Sequence, residues 1–198
     1  CLTPMRYIWD QFDSYFKGRA LCPVAKLATY PLRKWDINGA NSVSNFIAIS
    51  DYIRSRISNV YKRPSDIIYP PVETSWIKPA RGEDKGKGFL CVNALVPYKN
   101  VDIIVQAFNL LGKDLTIVGT GPEEKRLKKM AKSNIKFVGF VKNQELANLY
   151  SSSKAMIFAA EEDFGMTPVE MQAAGRPVIA YGKGGALETI CVDLGSES

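Results

Sequence analysis

Residues 89–118 read FLCVNALVPYKNVDIIVQAFNLLGKDLTIV, and their pattern decides the fold. A short apolar run from Phe89 to Val92 gives way to a stretch of helical period, with apolar residues at Val101, Ile104, Val105, Phe108 and Leu111. Gly112 stands where a C-terminal helix cap belongs, and a second apolar run follows from Leu115 to Val118. Strand, helix and strand joined in this way are what a right-handed parallel crossover requires. The pattern repeats downstream, with strands predicted at Ile135 to Val138, Ala155 to Phe158 and Val178 to Ala180 and helices between them. Residues 89–198 are therefore expected to form an α/β domain, a doubly wound parallel sheet of Rossmann-like type.

Upstream, Phe46 to Ile49 reads as a strand, Ser50 as the cap of a helix from Asp51 to about Tyr61, and Ser65 to Tyr69 as another short strand. Pro70-Pro71 stops that strand, because proline cannot donate to a ladder. The stretch from Leu21 to Trp35 is amphipathic and looks helical, with no clear partner. Arg81 to Gly88 is polar and glycine-rich, the composition of an exposed connection. The expected organisation is a partial domain over 1–72, a linker over 73–88, and the Rossmann-like domain over 89–198, incomplete at its C-terminal end.

Composition narrows the chemistry. The chain has 198 residues, 46% hydrophobic and 23% charged, as in ordinary globular proteins. No apolar run approaches the roughly 20 residues of a spanning helix. The sequence lacks an initiator methionine and is read as a piece of a longer protein. It contains no histidine, which excludes Ser-His-Asp and Cys-His hydrolases and HExxH metalloproteases within this piece. Four cysteines, at 1, 22, 91 and 191, show no zinc spacing and no CxxC pair, so no metal site is expected and a cytoplasmic location is the default. The net charge of +6 favours phosphate-bearing ligands, but its densest run (Lys125, Arg126, Lys128, Lys129, Lys132) reads as a solvated helix face. Without aromatic interleaving on one face, nucleic acid is not an expected partner.

Ligands of open α/β sheets bind beyond the carboxyl ends of the strands, so the loops there carry the functional question. After the fourth strand of this domain comes Glu161-Glu162-Asp163-Phe164-Gly165-Met166-Thr167-Pro168-Val169-Glu170. Thr167, Pro168 and Glu170 have the spacing of a capping box, a plain structural role. Glu162, Asp163 and Gly165 lie just outside that box, where a helix N-terminus could hold a diphosphate. After the first strand, Lys99 lies at the start of the next helix, an unfavourable end for a cation unless an anion shares the site. Gly119-Thr120-Gly121-Pro122 lacks the third glycine of GxGxxG, and Gly182-Lys183-Gly184-Gly185 lacks the order of a P-loop.

Together these loops resemble the retaining glycosyltransferases of two-domain GT-B fold, the group 1 (family 4) type with an E-x7-E signature. Glu162 to Glu170 carries that signature, and Leu95 to Lys99, Ile117 to Pro122, Phe137 to Phe140, Gly175 to Ala180 and Gly184 to Glu188 keep the family's order. Thr3 to Asp10 looks like a segment near the end of the acceptor domain in a bacterial and archaeal branch of mannosyltransferases. The resemblance implies that Glu162 and Lys99 are catalytic, Glu162 holding the transferred sugar and Lys99 the diphosphate. Phe164, Gly165 and Met166 would lie beside the sugar, and Thr167, Pro168 and Val169 would offer amides to the phosphates. Glu170 would bind the ribose, and Gly119, Gly121, Gly139, Phe140 and Val141 would line the donor and its base. It further implies a nucleotide-diphosphate sugar as donor, GDP-mannose favoured, with neither metal nor cofactor. The acceptor would be a glycan or lipid-linked, which admits peripheral association with the inner face of a membrane and a place in polysaccharide biosynthesis.

One position departs from the pattern. The family places an arginine five residues before the lysine, and here Ala94 stands there. The departure keeps a second reading open, a catalytically silent nucleotide-sugar or glycan-binding remnant. A sugar epimerase of the related two-domain fold is a third, disfavoured by the E-x7-E run.

Overall fold

The computed structural model describes residues 3–10, 12, 22–80 and 85–190. Cys1, Cys191, Leu21, the Arg81 to Asp84 part of the expected linker and the tail from 191 onward lie outside the described residues. The chain forms two compact units, Cys1–Pro70 and Pro71–Ser198. No helix among the described residues is long and apolar enough to cross a membrane.

In the first unit the elements run α1 (Arg6–Trp9), α2 (Cys22–Asn41), β1 (Ile47–Ala48), α3 (Asp51–Tyr61) and β2 (Asp66–Ile67). β1 and β2 pair in parallel, Ile47 beside Asp66 and Ala48 beside Ile67. Both strands are shorter than the sequence predicts. Ser50 already turns the chain into α3, its hydroxyl accepting from the Ile53 amide at 3.0 Å, so little extended chain remains for β2 to pair with. Ala40, Phe46, Ala48, Ile53 and Ile57 form the core of this unit. Buried Arg56 of α3 is paired with the Asp10 carboxylate and donates to the Pro4 carbonyl at 3.1 Å. The Trp9 indole donates to Asp36 of α2 at 2.7 Å, and the Arg33 guanidinium donates to the Ile8 carbonyl at 2.7 Å. The helix that lacked a clear partner in the sequence thus packs on the Thr3 to Asp10 segment.

The second unit contains β3 (Phe89–Val92), a 3₁₀ turn (Pro97–Lys99), α4 (Val101–Leu111), β4 (Leu115–Val118), α5 (Glu124–Met130), β5 (Ile135–Gly139), α6 (Asn143–Ser152), β6 (Ala155–Phe158), α7 (Met166–Ala173), β7 (Val178–Ala180) and α8 (Ala186–Thr189). Its five strands are all parallel, in the order β5-β4-β3-β6-β7. Alternate residues of β3 feed two cores. Cys91 packs with Ile104, Val105, Phe108, Ile117 and Leu127 on one face, and Leu90 and Val92 pack with Tyr150, Met156 and Met171 on the other. Burial on both faces explains why β3 reads as an unbroken apolar run. The doubly wound sheet expected from the sequence is the fold observed.

The part of the expected linker that precedes its polar, glycine-rich stretch is packed on the sheet domain. Ile77 is buried in the second of these cores, Trp76 packs against it, and the Ala80 amide donates to Ala174 at 3.0 Å. On α5, Lys125, Arg126, Lys128 and Lys129 are exposed, Arg126 and Lys128 pairing with Glu123 and Glu124, as a solvated face would.

Candidate functional site

The strand order reverses between β3 and β6, because the chain leaves β3 toward β4 and β5 and returns to the other side of β3 as β6. A crevice opens at such a switch point, between the loops beyond the two carboxyl ends. Here those loops are 93–100 and 159–165, and two contacts tie them together. The Asn100 side-chain amide donates to the Ala159 carbonyl at 3.0 Å. The Lys99 ammonium forms an ion pair with the Glu162 carboxylate, the side chains being only 13% and 22% exposed. The ammonium also lies 5.3 Å from the centre of the Tyr98 ring. Two residues separated by 63 positions, each singled out in the sequence as catalytic, therefore meet in space.

Lys99 ends the 3₁₀ turn and does not begin α4, as the sequence predicted. Asn100 intervenes in the left-handed conformation (φ 53°), which asparagine tolerates better than most residues. The consequence is chemical: the ammonium is aimed at the Glu162 carboxylate of the β6 loop.

The β6 loop is held from below by the loop after β7. Glu162 bridges Gly184, the Gly185 amide donates to the Glu162 carbonyl at 2.8 Å, and the Thr189 hydroxyl donates to the Phe164 carbonyl at 3.2 Å. Gln172 donates to both Pro168 and Thr189 carbonyls, at 3.1 and 2.8 Å, which fixes α7 to the same support. The glycines at 184 and 185, which fit no phosphate-binding motif, are explained by this approach: a Cβ on either would collide with the backbone of Glu162 or Phe164.

The expected capping box does not form. α7 begins at Met166, with Gly165 as its cap in a conformation (φ 94°) that residues with a Cβ rarely adopt, and no side chain caps it. Thr167 and Pro168 are thus the second and third helical residues. A helix leaves the amides of its cap and first three residues without internal acceptors, and proline has none to offer. The amides available to an anion are those of Gly165, Met166 and Thr167; the amides of Pro168 and Val169, assigned to phosphate in the sequence reading, are respectively nonexistent and part of the helical ladder. Glu170, released from capping, accepts a hydrogen bond from the Tyr150 hydroxyl at 2.6 Å. Burial raises the Glu170 carboxyl above its usual range, and the Tyr150 bond opposes that shift. Burial, followed by the Glu170 hydrogen bond, pushes the Tyr150 phenol up as well.

The remaining predicted residues divide. Gly119 (φ 125°) and Gly121 are required by backbone packing, since a Cβ on either would strike the carbonyl of Asn93 or Leu95 in the neighbouring loop. An irregularity near the end of β5 sets Gly139 beside Val118 and re-aims the loop that follows. Phe140 then projects outward, 82% exposed, whereas the Val141 side chain is 7% exposed and belongs to the core. Phe164 is half-buried over the glycine pair and Met166 is exposed. Ala94 is exposed on the Lys99 loop and brings no second cation to it.

Three supporting side chains left no signal in the sequence. Tyr150 reads as one more apolar position on α6, and only the fold brings it to Glu170. Gln172 and Thr189 carry no motif. Asn100 left a trace, an asparagine ahead of a helical run.

Residues 73–193 match the family described as Glycosyl transferases group 1. Among individual relatives, a GDP-mannose-dependent alpha-(1-6)-phosphatidylinositol monomannoside mannosyltransferase of Mycobacterium tuberculosis is 30% identical over 203 residues, 87% of this chain and 51% of that protein. An alpha-1,3/1,6-mannosyltransferase of Dictyostelium discoideum is 30% identical over 61% of this chain and 35% of its own length. The chain spans about half the length of the first of these relatives. Of solved structures, Anabaena Alr3699/HepE in complex with UDP and glucose superposes with a TM-score of 0.69 over 81% of this chain and 50% of that one, at 21% identity, a likeness of fold. The family match takes in every strand of the five-stranded sheet and both loops of its switch point, and the chain belongs to the glycosyl transferases group 1 family.

Proposed function

We propose that this chain is the donor-binding half of a retaining hexosyltransferase that takes a sugar, mannose in the favoured case, from a nucleotide diphosphate and passes it to a glycan or lipid-linked acceptor. The observation that carries the reading is the Lys99–Glu162 pair, set at the switch point beside the free amides of Gly165, Met166 and Thr167. A donor supplies both halves of that pair with new partners. Its diphosphate attracts Lys99 and the helix amides, and its sugar hydroxyls donate to Glu162. As the sugar departs, negative charge grows on the diphosphate, where a fixed cation and oriented amides stabilise it without a metal ion. Glu170 accepts from the ribose, and exposed Phe140 offers a face to the base.

The names of two relatives support mannose, and one supports guanosine diphosphate as its carrier. Calorimetric titration with GDP, UDP, GDP-mannose and UDP-glucose tests the reading. Binding of at least one nucleotide, with GDP-mannose preferred, is expected, and binding of none would sink it. The chain alone is expected to bind without turnover.

Ala94 favours a second reading, a silent nucleotide-sugar-binding remnant, because the Lys99 loop has lost one of two phosphate cations. A few kcal/mol of transition-state stabilisation corresponds to roughly 100-fold or more in rate. If the chain joined to an acceptor domain transfers no sugar and Ala94→Arg restores transfer, the silent reading holds.

A further inference from the structure

We infer that Tyr150 is a positioning residue for the nucleotide ribose: its phenol occupies one oxygen of Glu170 and holds the carboxylate so that the other faces the sugar hydroxyls. The inference rests on the proposed donor site and adds a residue to it.

Tyr150 is fully buried on α6, in one core cluster with Met156 and Met171, and the Trp76 ring lies tilted beside its own with the centres 6.3 Å apart. Such a ring has a single well-defined place, and its hydroxyl ends at 2.6 Å from Oε2 of Glu170. Glu170 is on α7 and only partly buried, so its carboxylate is neither sealed in the core with the tyrosine ring nor fully in solvent. A glutamate in that place has three rotatable bonds and could turn several ways. A hydrogen bond from a rigid donor selects one of them. The bond also favours the ionised carboxylate, which burial alone opposes, and only an ionised carboxylate is acceptor at both oxygens. Trp76 and Ile77 pack into the same core, so the segment leading into the sheet helps hold the tyrosine.

A competing explanation makes Glu170 the servant, present merely to satisfy a buried phenol. The two differ in what Tyr150→Phe does. That change keeps the ring and its packing and deletes the one donor. The test measures, by calorimetry on the 198-residue chain, affinities for UDP and GDP and for their 2′-deoxy and 3′-deoxy forms, in the wild type, Tyr150→Phe, Glu170→Gln and the double variant. Because each ratio of ribo to deoxy affinity is taken within one variant, loss of folded protein cancels.

The wild type is expected to prefer a ribonucleotide over at least one deoxy form by roughly tenfold, the worth of a hydrogen bond to a charged group. Tyr150→Phe is expected to shrink that ratio to about twofold, and the double variant to resemble Glu170→Gln. If Tyr150→Phe weakens ribo and deoxy forms equally, or leaves the ratio unchanged, Tyr150 is structural and the donor site stands. If the wild type binds no nucleotide, the donor site falls and this inference falls with it.

Discussion

Lys99 and Glu162 neutralise each other in a partly shielded place, and each becomes available only when the other finds a substitute. Replacing Lys99 with methionine keeps the stem and removes the charge. Affinity for UDP or GDP should fall about tenfold or more, and a calorimetric value equal to wild type would remove Lys99 from the diphosphate. Glu162→Gln should act differently, weakening nucleotide sugars several-fold while leaving bare nucleotides nearly unchanged; equal loss for both would place the carboxylate elsewhere on the donor. Glu170 allows a prediction with a definite sign. Burial raises its folded-state pKa, so the contribution of its protonated form to stability is fully present below the unfolded carboxylate range and is lost as pH rises through the folded value. Glutamine mimics the protonated form. Glu170→Gln should therefore melt above wild type at pH 7, and the difference should close as pH is lowered toward 4. A carboxylate kept at a cost to stability is a common mark of function.

Among elements, α7 shows how a helix start was legible in kind and misplaced in detail. Thr167, Pro168 and Glu170 satisfy a capping pattern, but the bridge from Glu162 to Gly184 ends the extended chain early, and the left-handed Gly165 starts the helix at Met166. Local sequence cannot weigh that pairing, because Gly184 lies on a loop that follows another strand. The turns after β3 and β4 teach the same lesson. Gly119 looked like a ligand-binding glycine and is needed because it lies against the Asn93 carbonyl at φ 125°. Gly119→Ala should cost about 3 kcal/mol, from strained backbone plus a clash that the neighbouring loop cannot relieve, and denaturant unfolding would measure it. A midpoint within error of wild type would mean that the two loops separate easily. The five strands of the larger sheet were legible nearly to the residue, since apolar runs bounded by turns have few alternatives in a parallel sheet.

At the scale of the molecule, every residue placed in the candidate site belongs to the unit Pro71–Ser198. A chain beginning at Pro71 is expected to retain the nucleotide affinity of the 198-residue chain within about twofold, as calorimetry on the two would show; a large loss would place part of the site in Cys1–Pro70. The sequence by itself determined the class of fold and the order of its strands along the chain, because periodicity is written locally, and its resemblance to a family singled out the two carboxylates and the lysine as candidates. Only the tertiary structure decided which of them meet. The reversal of strand order at β3 and β6 brings Lys99 to Glu162, the packing of α6 on α7 gives Glu170 its tyrosine, and the turn of the β5 loop sends Phe140 outward and Val141 into the core. These are contacts between residues far apart in the chain, fixed by how strands and helices stack, and no window of sequence contains both partners.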